Sequence, residues 1–335
     1  MDVVNTLLGV ILSILAAVMP TAIYALVIWW ADRYEKEPLG LLAVAFVWGA
    51  VPAVVISFLA EAVFGLPLAG LQAERLANVL ELSALAPVVE EVAKALALAG
   101  LFIIFWREFD DVLDGIVYGA LVGIGFGMTE NLLYFLATFL EEGWDGWGMV
   151  VFLRAIVFGL NHAFFTAFSG AGLGMARQAH RGWPRWLAPA LGLSVAMVFH
   201  GLHNLGVTLA DESLLGVVFS WLIDVGGIVV LFVIVLLALR QERGWIEREL
   251  REEVDSLLTQ SEYAGASAYG HRLRLWWKAW KQGGWRAARR QGRVHRQLTE
   301  LAFRKHQLRV LDKDDDVSLR ADIRRLRKEI AATDA

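Results

Sequence analysis

Cysteine is absent from all 335 residues, which excludes a disulfide framework, a thiol nucleophile and a cysteine-ligated metal. The HExxH motif is also missing, so no single helix carries the two-histidine zinc site of the familiar metalloproteases. A cleavable leader is not expected. The first apolar run, 3–30, has no basic n-region, is too long for a leader core and ends in Trp29-Trp30, a pair suited to a membrane interface. Basic residues are scarce through residue 239, with nine Lys and Arg against 20 Asp and Glu. From residue 240 onward the balance reverses to 22 against 15.

What the chain has in excess is apolar sequence. It is 57% hydrophobic with 14 tryptophans and a mean hydropathy of +0.52. A soluble domain of this size does not need so much, so the expected class is an all-α polytopic membrane protein. Seven apolar runs stand out, at 3–30, 39–64, 84–105, 112–140, 150–176, 186–209 and 215–239. Arg33 and Lys36, then Arg107, then Arg177, Arg181 and Arg185 fall in alternate joints, while the intervening joints hold only Arg75. The positive-inside rule then puts the N-terminus outside and the C-terminus inside. The 66–83 joint reads as a short amphipathic helix on the outer face. The expected division is a membrane domain, 1–239, and a basic cytosolic tail, 240–335.

Gly115, Gly119, Gly123 and Gly127 lie four apart, followed at the same interval by Asn131. That stripe lets a neighbouring helix backbone approach closely and turns Glu130-Asn131 into the bundle. The tail reads as a charged helix over 245–258, a polar linker over 259–270 and an amphipathic helix. In the last of these, Leu273, Trp276, Trp277 and Trp280 share a face rimmed by Arg272, Arg274, Lys278 and Lys281. The pattern suits an anionic inner-leaflet surface, with a Trp-cored soluble hairpin as the alternative. Acidic residues interleave the basic ones, so no nucleic-acid partner is expected. A final charged helix, 317–332, has no evident chemistry.

Ionisable groups inside apolar runs are expensive and point to function. Here they are Glu90, Glu91 and Lys94; Glu130 with Asn131; Arg154; Asn161 with His162; and His200 with His203 and Asn204. At ~1.5 Å rise per residue, Glu90 and Glu91 lie ~10 Å, Glu130 ~15 Å, His162 ~18 Å, His200 ~13 Å and His203 ~9 Å below the outer edge. Four helices thus bring carboxylates and imidazoles to a common level. Arg154, ~6 Å from the edge, reads as a snorkelling side chain. Asp114 reads as a boundary residue, and Asp224 falls outside the cluster by depth.

Paired carboxylates in low dielectric do not both ionise cheaply, which sets an acid beside a base. Lys94, one turn after both, can pair with either. Such a set suits the activation of water for hydrolysis. Glu130, His162 and His200 form a candidate three-ligand shell for a divalent metal such as zinc, with water as the fourth ligand. The same carboxylates could serve a proton- or ion-coupled transporter, although no inverted repeat is visible. A non-catalytic scaffold is the third reading.

The residues resemble the PrsW family of intramembrane proteases, related to the CAAX-protease and bacteriocin-processing superfamily. The matching segments are Asp32-Arg33-Tyr34-Glu35-Lys36-Glu37-Pro38, Glu90-Glu91-Val92-Ala93-Lys94, Phe126-Gly127-Met128-Thr129-Glu130-Asn131, Asn161-His162-Ala163 and His200-Gly201-Leu202-His203-Asn204. The likeness runs over roughly 20–210, and its motifs fall in order on successive spans. It implies a multi-pass protein of the bacterial cell membrane, surrounded by lipid, that cleaves a single-span membrane protein such as an anti-sigma factor. It also implies that the paired glutamates and a histidine, His162 or His200, are essential, in a glutamic-type or metal-dependent reaction. The tail lies outside the resemblance.

Overall fold

The computed structural model describes residues 3–70, 73–179, 182–210, 213–310 and 316–334; Arg181, counted in the joint above, lies outside them. Among the described residues every regular element is helical. Five segments among the described residues are long and apolar enough to cross a membrane: Val3–Ala31, Leu39–Leu68, Val112–Gln178, Pro184–Ala210 and Leu214–Glu253. This tally differs from seven apolar runs for two physical reasons. The run at 84–105 carries three charges, so composition alone does not admit it. Val112–Gln178 has 67 residues, about 100 Å if straight, and a bilayer core of ~30 Å makes it double back.

The chain separates into two compact units, one of residues 1–31 and 37–235, the other of 32–36 and 236–335. The first begins with α1 (Val3–Ala31). Helices α2 (Leu39–Trp48) and α3 (Val54–Phe64) are joined by a π-helical turn, Gly49–Ala53, around Pro52, where the missing proline N–H breaks the regular ladder. After the short α4 (Leu66–Ala69), α5 (Glu74–Leu80) runs through a second π-turn, Glu81–Leu85, into α6 (Ala86–Ile104). The expected separate outer helix is therefore the leading end of α6. Next come α7 (Val112–Val151), a third π-turn at Phe152–Val157, α8 (Asn161–Gln178), α9 (Pro184–Ala210) and α10 (Leu214–Leu250).

Asp111 opens α7. Its Oδ1 accepts the N–H groups of Leu113 and Asp114, while Asp114 Oδ2 accepts that of Asp111 at 2.9 Å. This is a capping box, and it occupies the Asp111 and Asp114 carboxylates of an acidic trio, with Asp110, that is otherwise close enough for a metal. From there α7 and α8 run antiparallel with backbones in contact. A Cβ added at Gly115 would lie 2.1 Å from the Gly170 carbonyl oxygen, at Gly119 2.6 Å from that of Thr166, and at Gly123 2.0 Å from that of His162. As one residue number rises by four, its partner's falls by four. The seam thus ends at His162.

In the second unit Thr259 and Glu262 form a capping box that starts α11 (Gln260–Ser267), so the expected polar linker is mostly helix. Helix α12 (Tyr269–Val310) bends back at Gly283 and at Gly284, whose φ of 64° suits glycine. The two arms bring Trp276 and Trp285 together with ring centroids 6.2 Å apart. Trp277, Trp280 and Trp285 remain exposed, the last at 60%. The packed core of the unit is made instead by Ile246, Leu250, Leu298, Leu301 and Phe303, with Leu326 and Ile330 from α13 (Val317–Asp334).

Gly119→Val, which drives side-chain carbons into the α8 backbone, is expected to cost roughly 1–3 kcal/mol or more. Gly100→Ala, with nothing within 4 Å of the new carbon, should leave the thermal midpoint in detergent unchanged or raised. In the tail, His295 is 1% exposed; burial, then the nearby Arg272 and His271, push its pKa down to about 4. An unfolded histidine titrates near ~6.5, so on acidification the unfolded state takes the proton first. The unit should be fully stable above pH ~6.5 and lose up to ~3 kcal/mol between there and pH ~4. Amide hydrogen exchange over 260–310 in the full chain, measured against pH and abolished as a pH effect by His295→Gln, checks this.

Candidate active site

Helix α6 places Glu90, Glu91 and Lys94 on one inward face, since residues three and four apart share a side. The Lys94 side chain is 0% exposed, and its Nζ lies 3.1 Å from Glu90 Oε2 and 2.8 Å from Glu91 Oε1. It also stands 3.1 Å from His162 Nδ1 and 3.9 Å from the centroid of the Phe126 ring. Glu91 is fully engaged: Oε1 additionally meets His200 Nδ1 at 3.0 Å, and Oε2 accepts the Thr166 hydroxyl at 3.0 Å. Glu90 makes one such bond, to Lys94, and its Oε2 lies 3.8 Å from His200 Nε2. Its second oxygen has no hydrogen bond among the described residues.

The two histidines are each oriented by a different carboxylate. His200 Nδ1 faces Glu91, which assigns the proton to Nδ1 and leaves the Nε2 lone pair toward Glu90. His162 Nε2 lies 2.7 Å from Glu130 Oε2, which assigns its proton to Nε2 and leaves Nδ1 as the acceptor facing Lys94. Glu130 also holds Arg154, Nη2 to Oε2 at 2.6 Å, while Arg154 Nε donates to Asn131 Oδ1 at 2.9 Å. Arg154 therefore belongs to the polar set rather than snorkelling outward, because the π-turn that carries it aims it at α7.

His203 does not back up His200. Its Nδ1 lies 3.0 Å from Asp224 Oδ2 on α10, and its Nε2 lies 3.3 Å from Asn161 Nδ2. Asn161 Oδ1 in turn accepts the His162 backbone N–H at 2.7 Å. Asp224, set aside by depth, is thus joined to the site through a continuous hydrogen-bonded chain. Asn204 stands apart and donates to the Leu82 carbonyl at 2.9 Å.

Donor atoms of Glu90, His162 and His200 lie within 4.8 Å of one another, and all three residues are buried. This differs from the expected shell of Glu130, His162 and His200, because Glu130 is committed to Arg154 and to the far nitrogen of His162. The donor chemistry fits a divalent metal of the zinc type, which would have to displace Lys94 Nζ from His162 Nδ1, 3.1 Å away. One carboxylate and two imidazoles make a three-ligand set, and each imidazole gives its other N–H to a carboxylate, as metal-bound histidines ordinarily do.

Residues 37–239 match the model of a family described as PrsW family intramembrane metalloprotease. The chain belongs to the PrsW family. It is similar to proteins named Protease PrsW from Geobacillus kaustophilus, 30% identical over 178 residues (52% of this chain, 69% of the relative), and Bacillus subtilis, 35% over 102 residues (30% and 42%). A third, from Halalkalibacterium halodurans, is 26% identical over 206 residues (56% and 80%). No solved structure matches. PrsW membership makes the chain an intramembrane protease and a multi-pass bacterial membrane protein, and the Glu90, His162 and His200 set lies within the matched region.

Divalent metal measured by elemental mass spectrometry on the purified protein should approach about one ion per chain. His162→Ala and His200→Ala should lose it. Glu130→Gln should keep it with affinity roughly 10–100-fold weaker, the usual loss when a partner of a ligand is altered.

Proposed function

We propose that the protein hydrolyses a peptide bond in a single-span membrane protein, of the anti-sigma-factor kind, with Glu90 as the proton-handling group. The observation that carries this reading is the contrast between the adjacent carboxylates: Glu91 has both oxygens occupied, while Glu90, within 4.8 Å of a nitrogen of both His162 and His200, keeps one oxygen without a hydrogen bond among the described residues. A general base needs such an open oxygen. Glu90, His162 and His200 would hold a divalent zinc-type ion. When bound, that ion supplies Lewis acidity, polarising the scissile carbonyl and making water more acidic.

Glu90 accepts a proton from water as the water oxygen forms its bond to the carbonyl carbon. The carbon–nitrogen bond then breaks, and Glu90 passes the proton it took from water to the leaving nitrogen, giving one carboxyl and one amino terminus. Lys94 keeps Glu90 and Glu91 in place and offsets their charge. Glu91 fixes the His200 ring, and Glu130, backed by Arg154, fixes that of His162. The apolar spans around the set support a substrate that arrives from the lipid. In the tail, the exposed Trp277, Trp280 and Trp285 beside Lys278, Lys281 and Arg286 support contact with an anionic inner leaflet.

Glu90→Gln should reduce cleavage of a co-expressed single-span substrate by at least ~100-fold, the lower range for loss of general acid–base catalysis, with the detergent elution profile and thermal midpoint retained. Unaltered cleavage by the folded variant would sink the assignment.

A further inference from the structure

Beside the catalytic set lies a cavity of about 220 Å³. It is bounded by α7, the π-turn and break that follow it, α9 and α10. Leu153, Phe158, Val207 and Val217 supply apolar wall, and Arg154, His203, Asn131 and Asn161 polar wall. Pockets for drug-sized ligands run ~300–1,000 Å³, so this one has room for a side chain rather than a free small molecule. Arg154 connects to the catalytic set through Glu130, and His203 through Asn161 to the His162 backbone.

A second observation points the same way. Between Val157 and Asn161 the chain leaves the helix, inside a segment apolar enough to cross the membrane. Irregular backbone at membrane depth persists only where it is buried in protein or lines a cavity, and Phe158 and Asn161 line this one. A substrate helix must also unwind to expose its scissile bond, and its freed carbonyls then need donors. Arg154 commits Nε and Nη2 to Asn131 and Glu130, and its Nη1, without a hydrogen bond among the described residues, can serve such a carbonyl.

We propose that this cavity is the pocket that receives an apolar side chain of the substrate next to the scissile peptide. Arg154 holds the unwound substrate backbone, and the Asp224–His203–Asn161 chain keeps the pocket wall in register with His162. The proposal rests on the proteolytic reading for the identity of its occupant, and its test does not depend on turnover.

The chain lacks cysteine, so Val217→Cys provides a single thiol. Combined with Glu90→Gln to prevent cutting, the full-length protein is reconstituted in liposomes with a synthetic Leu/Ala single-span polypeptide. One cysteine is moved stepwise along that span, and disulfides are formed with copper phenanthroline. Cross-linking should concentrate at one or two neighbouring positions, appear again from Leu153→Cys on the facing wall, and fall at least tenfold when Val207→Trp fills the cavity. An even ladder along the span, no cross-link from either thiol, or persistence in the filled variant would overturn the pocket. If cross-links form as expected but the protein with Glu90 restored leaves the polypeptide whole, the proteolytic reading falls and the pocket stands. Cutting without cross-linking has the opposite meaning.

Discussion

An ammonium group with no exposure sits at the centre of this membrane protein, and the rest of the site is arranged to keep it there. Burying a lone charge costs several kcal/mol even after relaxation. Lys94 offsets that cost with two carboxylates, an imidazole nitrogen and the face of Phe126. Each partner comes with its own requirement. Glu90 and Glu91 must be adjacent on α6, Phe126 must face them from α7, and His162 must present Nδ1 rather than Nε2. The last condition is met because Glu130 holds the opposite nitrogen. One buried cation therefore fixes the rotation of α6 and α7 and the ring orientation at the start of α8.

Four carboxylates in the hydrogen-bonded set divide the work by how many of their oxygens are already used. Glu91 is saturated and acts as a positioning group. Glu130 is shared between Arg154 and His162. Asp224 serves His203 alone. Glu90 has capacity left over and, unlike the others, lies within 4.8 Å of a ring nitrogen of both His162 and His200, and that position distinguishes it chemically.

Much of this was legible before any geometry. Charged residues stand out in apolar runs because lipid makes them costly, and helical rise brought Glu90, Glu91, Glu130, His162 and His200 to one level. Depth along the membrane normal contains no information on rotation about each helix axis, so it did not reveal which carboxylate serves which histidine. It also assumed unbroken helices. The π-turn before α8 re-aims Arg154, and the π-turn before α6 carries that helix back to Glu74. Asp224 was missed because it was set outside the cluster by depth. His203 stands seven residues before the end of α9 and Asp224 ten after the start of α10, so counting from their short connection would have paired them. In the tail, the cap at Thr259 and Glu262 was visible as a sequence pattern, but the polar composition around it obscured the helix.

The glycine seam between α7 and α8 has a mechanical consequence. Backbones in direct contact leave no side chains to slide past one another, so the two helices tilt as one body. In a thinner or thicker bilayer, which tilts helices to match its width, the level of the site would follow the lipid while the spacing between Glu130 and His162 stayed fixed. Bilayer thickness would then select which segment of a passing substrate helix meets the glutamates, without altering the chemistry that awaits it.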